Sequence, residues 1–321
     1  MVYLIGTDEA GYGPNLGPLL VASSVWKISG NPADYDLYQM LEGLVTDQVS
    51  AEKDHNKLVI TDSKKLYQSR QSLNRLERTL FPLFACLGIQ AKTWRDMWHG
   101  LCPASQISLD HLPWYRDFDM PLPQDFSRSE ILPWKERFLQ TSETAGVQLL
   151  KLRARAVFPF EFNTQVEALG SKSSLLSEVT LSLVKELLDS LGAHNIFISC
   201  DKHGARNRYG AILQQKFPDN LIEVVRESRT VSTYCWGPSS RRIKIQFKAQ
   251  GESFLPTALA SMVAKYLREL AMLAFNKFWC GHNPEIRPTA GYPLDAKRFR
   301  TEIEATRQQL EIQPQKLWRN R

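Results

Sequence analysis

Ile5-Gly6-Thr7-Asp8-Glu9-Ala10-Gly11-Tyr12-Gly13-Pro14-Asn15-Leu16-Gly17-Pro18 places two adjacent carboxylates at the end of a short apolar run and follows them at once with glycines. Two neighbouring acids at a strand end repel each other, so something there must favour their charged forms. A hard divalent cation does so, because it prefers carboxylate oxygens. The glycines let a backbone approach a phosphate or sugar without interference from a Cβ. They match neither common nucleotide motif: no Gly-Lys-Ser/Thr follows, no third glycine completes Gly11-x-Gly13, and Pro14 removes an amide from the turn. Taken alone, the stretch also reads as an acidic turn before a hairpin.

Working outward, the strand ending at Asp8 begins at Val2, and Leu19 to Trp26 is a second strand joined to it through the glycine loop. Ser72 to Leu83 and Ser173 to Leu191 have helical spacing, the latter through Leu175, Leu176, Val179, Leu183 and Leu187. Lys151 to Phe160, Asn195 to Cys200 and Ile243 to Phe247 read as strands, and Pro256 to Phe275 as a long helix rich in small residues. The class is α/β. Residues 1–321 are expected to form one domain, with an irregular inserted lobe at 91–150 rich in Trp and Pro and a basic helical segment at 280–321. The lobe holds Trp94, Trp98, Trp114 and Trp134, which pack a satellite core or form a lid that stacks on bases.

Carboxylates recur at element ends. Asp201 ends the apolar strand 195–200, and Glu252 lies just before the long helix. Four acids delivered to one sheet edge would hold two divalent metals about 3.5–4 Å apart, the arrangement for in-line phosphoryl hydrolysis. Taken singly, Asp201 also reads as a turn or capping acid and Glu252 as a surface residue. Charge fits a polyanion: residues 221–321 hold 17 Lys/Arg and 9 Asp/Glu, a balance of +8 within a total of +6. The five cysteines are scattered and never in a C-x-x-C pair, which predicts reduced thiols in a cytoplasmic protein and no zinc site. No signal peptide or membrane-length apolar run is visible.

These motifs together resemble type 2 ribonuclease H (ribonuclease HII). Gly6 to Pro14 with Gly17 to Ala22 is similar to the opening signature of that family, and Asp62-Ser63-Lys64-Lys65-Leu66 to its second motif. Cys200-Asp201 with Arg208-Tyr209 resembles the third-acid segment, Ala260 to Lys265 with Arg268 the helix after the fourth acid, and Ala290 to Asp295 the C-terminal tyrosine motif. The resemblance covers roughly 1–83 and 155–300, in order. It implies an RNase H-like fold, a mixed five-stranded sheet flanked by helices with a helical C-terminal part. It also implies cleavage of the RNA strand of RNA/DNA hybrids, or at ribonucleotides in DNA, dependent on two Mg²⁺ or Mn²⁺ ions. On that basis Asp8, Glu9 and Asp201 match the metal-binding acids, with Glu252 the nearest match to the fourth. Gly11 and Gly13 match the loop that reads the ribose 2′-OH. Tyr292 matches a tyrosine that stacks on deoxyribose, and Ser63, Lys64 and Lys65 belong to the substrate-contacting second motif, the two lysines meeting phosphates.

Three departures stand out. The family's Gly-Arg-Gly is here Gly-Tyr-Gly, with a neutral ring at Tyr12 in place of a cationic phosphate contact. The fourth acid is a glutamate, one residue out of register, with Glu227 and Glu223 the next acids to consider. The 91–150 lobe has no counterpart in compact members. A nucleic-acid-binding protein of this fold with altered specificity or weakened catalysis is the alternative reading; a nuclease for another structured nucleic acid is a third.

Overall fold

The computed structural model describes residues 1–29, 36–50, 56–67 and 72–320. Its strands are β1 (Val2–Ala10), β2 (Leu19–Ile28), β3 (Val45–Thr46), β4 (Leu58–Val59), β5 (Val147–Val157), β6 (Asn195–Asp201), β7 (Glu223–Glu227), β8 (Val231–Trp236) and β9 (Ile243–Lys248). Short β3 and β4 pair with each other; the other seven form one sheet in the order β5-β2-β1-β6-β9-β8-β7. β1, β6 and β9 run parallel, whereas β2 is antiparallel to both β1 and β5. The expected mixed five-stranded sheet is therefore the part from β5 to β9. The β7–β8 hairpin, which the sequence reading did not foresee, widens it to seven strands.

β1 is buried on both faces, and its side chains alternate between two cores. Val2 and Leu4 join one core, Tyr3 and Ile5 the other. The helices used below are α1 (Asn74–Cys86), α2 (Trp94–Leu101), α3 (Ile131–Thr144), α4 (Pro159–Leu169), α5 (Lys172–Asp189), α6 (Gly210–Lys216), α7 (Leu255–His282) and α8 (Pro293–Gln309). α5 packs into the Tyr3/Ile5 core, and α7 into the Val2/Leu4 core. α7 is buried along most of its length, which is why its residues are apolar nearly all round. Among the described residues, no helix is long and apolar enough to cross a membrane.

Residues 91–150 differ from the expected irregular lobe. They are largely helical, with α2, α3 and shorter helices at Gln106–His111 and Pro113–Arg116, and they lead into β5. Trp94, Trp98 and Trp114 are buried in the same core as Val2 and Leu4, so no base-stacking lid forms from them. Trp94 Nε1 donates to the Leu270 carbonyl of α7 at 3.1 Å, and Trp114 meets Phe275 edge-on at 5.3 Å. A buried carboxylate fastens the same region. Glu77 of α1 accepts the backbone N–H groups of Gln124, Asp125 and Phe126 and the Tyr266 hydroxyl of α7. Four donors on one carboxylate offset its removal from water.

α7 starts directly above β1. A Cβ added to Gly6 would lie 2.1 Å from the Pro256 carbonyl carbon and from the Thr257 nitrogen. Ser24 Oγ donates to the Pro256 carbonyl at 2.7 Å, and Thr257 Oγ1 to the Ser199 carbonyl at 3.0 Å, which pins the helix start across β2, β1 and β6. Backbone cannot yield as a flexible side chain would. Gly6→Ala is therefore expected to destabilise the fold by at least about 3 kcal/mol, at the upper end of overpacking costs. Denaturant unfolding checks this; a loss below about 1 kcal/mol would contradict the close seating of α7 on β1.

Candidate metal centre

Because β1, β6 and β9 are parallel, their C-terminal ends reach the same edge of the sheet. Thr7 pairs with Cys200, so Asp8 and Asp201 stand side by side one step further along. Strand alternation sends Asp8 towards α7 and Glu9 towards α5. The Ser261 hydroxyl of α7 hydrogen-bonds Asp8, and the charge of Glu9 reaches the Tyr12 hydroxyl on the other side. Carboxylate oxygens of Asp8, Glu9 and Asp201 nevertheless converge within 4.8 Å of one another. Asp201 is oriented by the loop after β9, accepting the Gly251 N–H at 3.2 Å, and Asp8 accepts the Glu9 N–H at 2.8 Å.

Glu252 follows Gln250, which sits in the left-handed region at φ 58°, and lies in a single 3₁₀ turn, Gly251–Ser253. It is outside the group of three carboxylates, yet its charge reaches Asp8 and Glu9. Glu223 and Glu227 are not near this group. Both lie on the exposed edge strand β7, Glu223 paired with Arg242 and Glu227 accepting the Tyr234 hydroxyl.

Burial raises the pKa of all four acids, and their mutual repulsion adds to it. Asp8 is held well above the usual carboxylate range by burial and then by Glu9, and Glu9 is pushed up to about 8 by burial and then by Asp201. Asp201 and Glu252 are raised too, again first by burial. Lys64 supplies counter-charge: burial lowers its pKa, but Asp62, Glu252, Asp8 and Asp201 outweigh that and raise it. A hard divalent cation fits this donor set, since carboxylate oxygens forced together out of water gain most from a compact positive charge.

The second motif forms a helical turn, Ser63–Leu66, capped by Asp62, whose carboxylate accepts the Lys64 N–H at 3.0 Å. Lys64 and Lys65 are exposed. Ser63 is buried instead, its Oγ 3.0 Å from Ser261 Oγ, so it supports the residue that holds Asp8. The glycine loop is fixed from behind. Gly11 has φ 87°, and a Cβ there would meet the Pro18 carbonyl at 2.6 Å and the Arg268 guanidinium at 2.9 Å. Buried Arg268 donates to the carbonyls of Leu16, Pro18 and Ala290, tying the loop to the tyrosine motif. Asn15 N–H donates to the Gly291 carbonyl at 2.7 Å, and the Tyr292 ring, about half exposed, lies 3.9 Å from where a Cβ of Gly13 would be.

Residues 318–320 brace the same loop. Arg319 N–H donates to the Asn15 carbonyl, its guanidinium to the Pro14 carbonyl, and Asn15 Nδ2 returns a bond to the Arg319 carbonyl at 3.1 Å. The sequence reading gave no role to Asp62, Ser261, Arg268 or Arg319. A charged residue amid the apolar run of α7 was a usable signal for Arg268; nothing local marked Arg319, which acts on residues 304 or more positions away.

No family model and no curated protein sequence matches this chain. Among solved structures it is similar to ribonuclease HII of Archaeoglobus fulgidus in its complex with PCNA, at 16% identity and a TM-score of 0.46, covering 99% of this chain and 94% of that one. It is also similar to ribonuclease H2 of Pyrococcus horikoshii, at 14% identity and a TM-score of 0.40, covering 98% and 92%. For Bst-RNase HIII in complex with Mn²⁺ the figures are 12%, 0.40, 99% and 66%.

The raised carboxylates have a consequence for stability. In the metal-free fold Glu9 keeps its proton to about 8, whereas an unperturbed glutamate releases it near 4.5. Between those values the folded state binds more protons than the unfolded one, so metal-free stability is full below the lower value and falls as pH rises through the upper one. Protons compete with a cation below that point. Mg²⁺ or Mn²⁺ should therefore raise the melting midpoint more at about pH 8.5 than at about pH 6. Equal shifts at both pH values, or none, would refute cation binding at this cluster.

Proposed function

We propose that this protein is a metal-dependent endonuclease that hydrolyses the RNA strand of RNA/DNA hybrids, or ribonucleotides embedded in DNA. The observation that carries the reading is the convergence of Asp8, Glu9 and Asp201 oxygens within 4.8 Å at the ends of two adjacent parallel strands. The glycine loop, Lys64 and Lys65, and the exposed Tyr292 ring support a nucleic-acid substrate.

Asp8, Glu9 and Asp201, with Glu252 as the fourth acid, would hold two divalent ions, Mg²⁺ or Mn²⁺. Such ions activate water and stabilise the leaving 3′-oxygen, so no serine or cysteine nucleophile is required. The chain's own residues do the rest. Ser261 and the Gly251 N–H orient Asp8 and Asp201 from outside the group. Lys64 faces the acids from an exposed turn and would meet a phosphate oxygen, offsetting the charge that accumulates there. At Gly13 only the Tyr292 ring comes within 4 Å of a Cβ position, so a ribose would approach the loop there and the ring would offer a flat face to the adjoining sugar.

One observation favours the second reading, a nucleic-acid-binding protein with weakened catalysis: Glu252 stands outside the three-carboxylate group. A cleavage panel separates the two, using RNA/DNA hybrid, a single ribonucleotide in duplex DNA, duplex RNA and duplex DNA, each with Mg²⁺ and with Mn²⁺. Asp8→Asn should keep the fold and lower cleavage by more than about 100-fold, beyond what outer-shell changes usually cost. Near-wild-type turnover would sink the two-metal assignment. Glu252→Gln should raise the metal concentration for half-maximal activity about 10-fold or more, or abolish activity; an unchanged titration would remove Glu252 from the ligand set.

A further inference from the structure

Tyr12 sits between the two glycines of the loop, where its neutral ring by itself offers a nucleic-acid backbone no charge. The structure surrounds it with charge from elsewhere. The Lys172 ammonium lies 5.2 Å over the centre of the Tyr12 ring, and the charge of Arg206 reaches the Tyr12 hydroxyl. A Cβ at Gly204 would lie 3.1 Å from that hydroxyl, so the ring spans from the glycine loop to the loop that follows Asp201. Arg206 is held by two serine hydroxyls, Nη2 to Ser174 Oγ at 3.1 Å and to Ser173 Oγ at 3.4 Å. Among the described residues no carboxylate forms an ion pair with Arg206.

We propose that Lys172 and Arg206, ranged along the Tyr12 ring, form a phosphodiester-binding wall on the Glu9 side of the metal centre. The wall takes a backbone phosphate adjoining the scissile one. Tyr12 acts as its floor: the ring holds the lysine by cation–π attraction and keeps the arginine side of the wall in register with the glycine loop. The positive charge beside Tyr12 thus comes from α5 and from the loop after β6. Backbone phosphates are the ligand, because the two groups offer charge and hydrogen-bond donors without any base-reading geometry. The inference rests on the nucleic-acid reading above.

Binding across a salt series tests it, with Asp8→Asn present throughout to block cleavage and an RNA/DNA hybrid oligonucleotide as the probe. Each phosphate contact contributes about 0.9 to the slope of log affinity against log salt on duplex DNA. Lys172→Met and Arg206→Met should each weaken binding at low salt and make the slope shallower by roughly 0.7–0.9. Lys172→Arg and Arg206→Lys should restore most of the slope. Lys27→Met, at the far end of the strands, serves as the control for net charge and should leave the slope unchanged. Melting midpoints near that of the parent identify variants that remain folded. If the parent binds the hybrid and all slopes superimpose, the wall is refuted while the nuclease reading stands. If the charge-restoring variants behave like the methionine variants, the wall is refuted too, because packing and not charge then carries the effect. If the parent binds no nucleic acid at all, the functional reading falls and takes this proposal with it.

Discussion

The seating of α7 on β1, with no side chain between them at Gly6, is the contact on which the rest of the molecule depends. Because the helix start touches strand backbone, Ser261, one turn further on, comes within hydrogen-bonding reach of Asp8. Two turns beyond that, Arg268 reaches the carbonyls of the glycine loop and of the segment before Tyr292. One helix thus sets the orientation of an acid, the shape of the loop and the position of the exposed ring. Trp94, Trp114 and the buried Glu77 hold the same helix further along, through Leu270, Phe275 and Tyr266.

That rigidity is what makes the acidic cluster tolerable. Four carboxylates brought together out of water resist ionisation, and Asp8 and Glu9 are the most affected. A flexible edge would let them separate into solvent. Here the strand register fixes Asp8 beside Asp201, and backbone N–H donors use one oxygen of each. The remaining strain is electrostatic, and it is of the kind that a hard cation relieves. A cation held there would draw its affinity from repulsion stored in the fold.

Much of this was legible in the chain. The apolar run ending in Asp8-Glu9, the strand ending in Asp201 and the periodicity of 173–191 are local patterns, and local patterns report strands, helices and their ends. The strand reading at 195–200 even placed its acid correctly. The tryptophans of 91–150 were harder: an aromatic residue looks the same in sequence whether it is packed or exposed, and only the contacts with α7 show that these are packed. The β7–β8 hairpin escaped notice because Glu223-Val-Val-Arg-Glu227 lies wholly exposed and so carries no alternation of buried and solvated positions.

The sequence by itself determined the α/β class, the acids Asp8, Glu9 and Asp201 at strand ends, and the glycine-rich loop that follows the first two. Tertiary structure decided which of those acids meet. Parallel alignment of β1 and β6 brings Asp8, Glu9 and Asp201 together, while Glu223 and Glu227, equally acidic and far nearer to Asp201 in sequence, lie on the edge strand β7. It also decided that Ser63 faces inward, that Arg319 braces a loop some 300 residues away, and that the charge near Tyr12 comes from Lys172 and Arg206. The physical reason is the same throughout. Propensity and periodicity act over a few residues, whereas charge, hydrogen bonding and close packing act between whatever groups the strand order brings within a few ångströms.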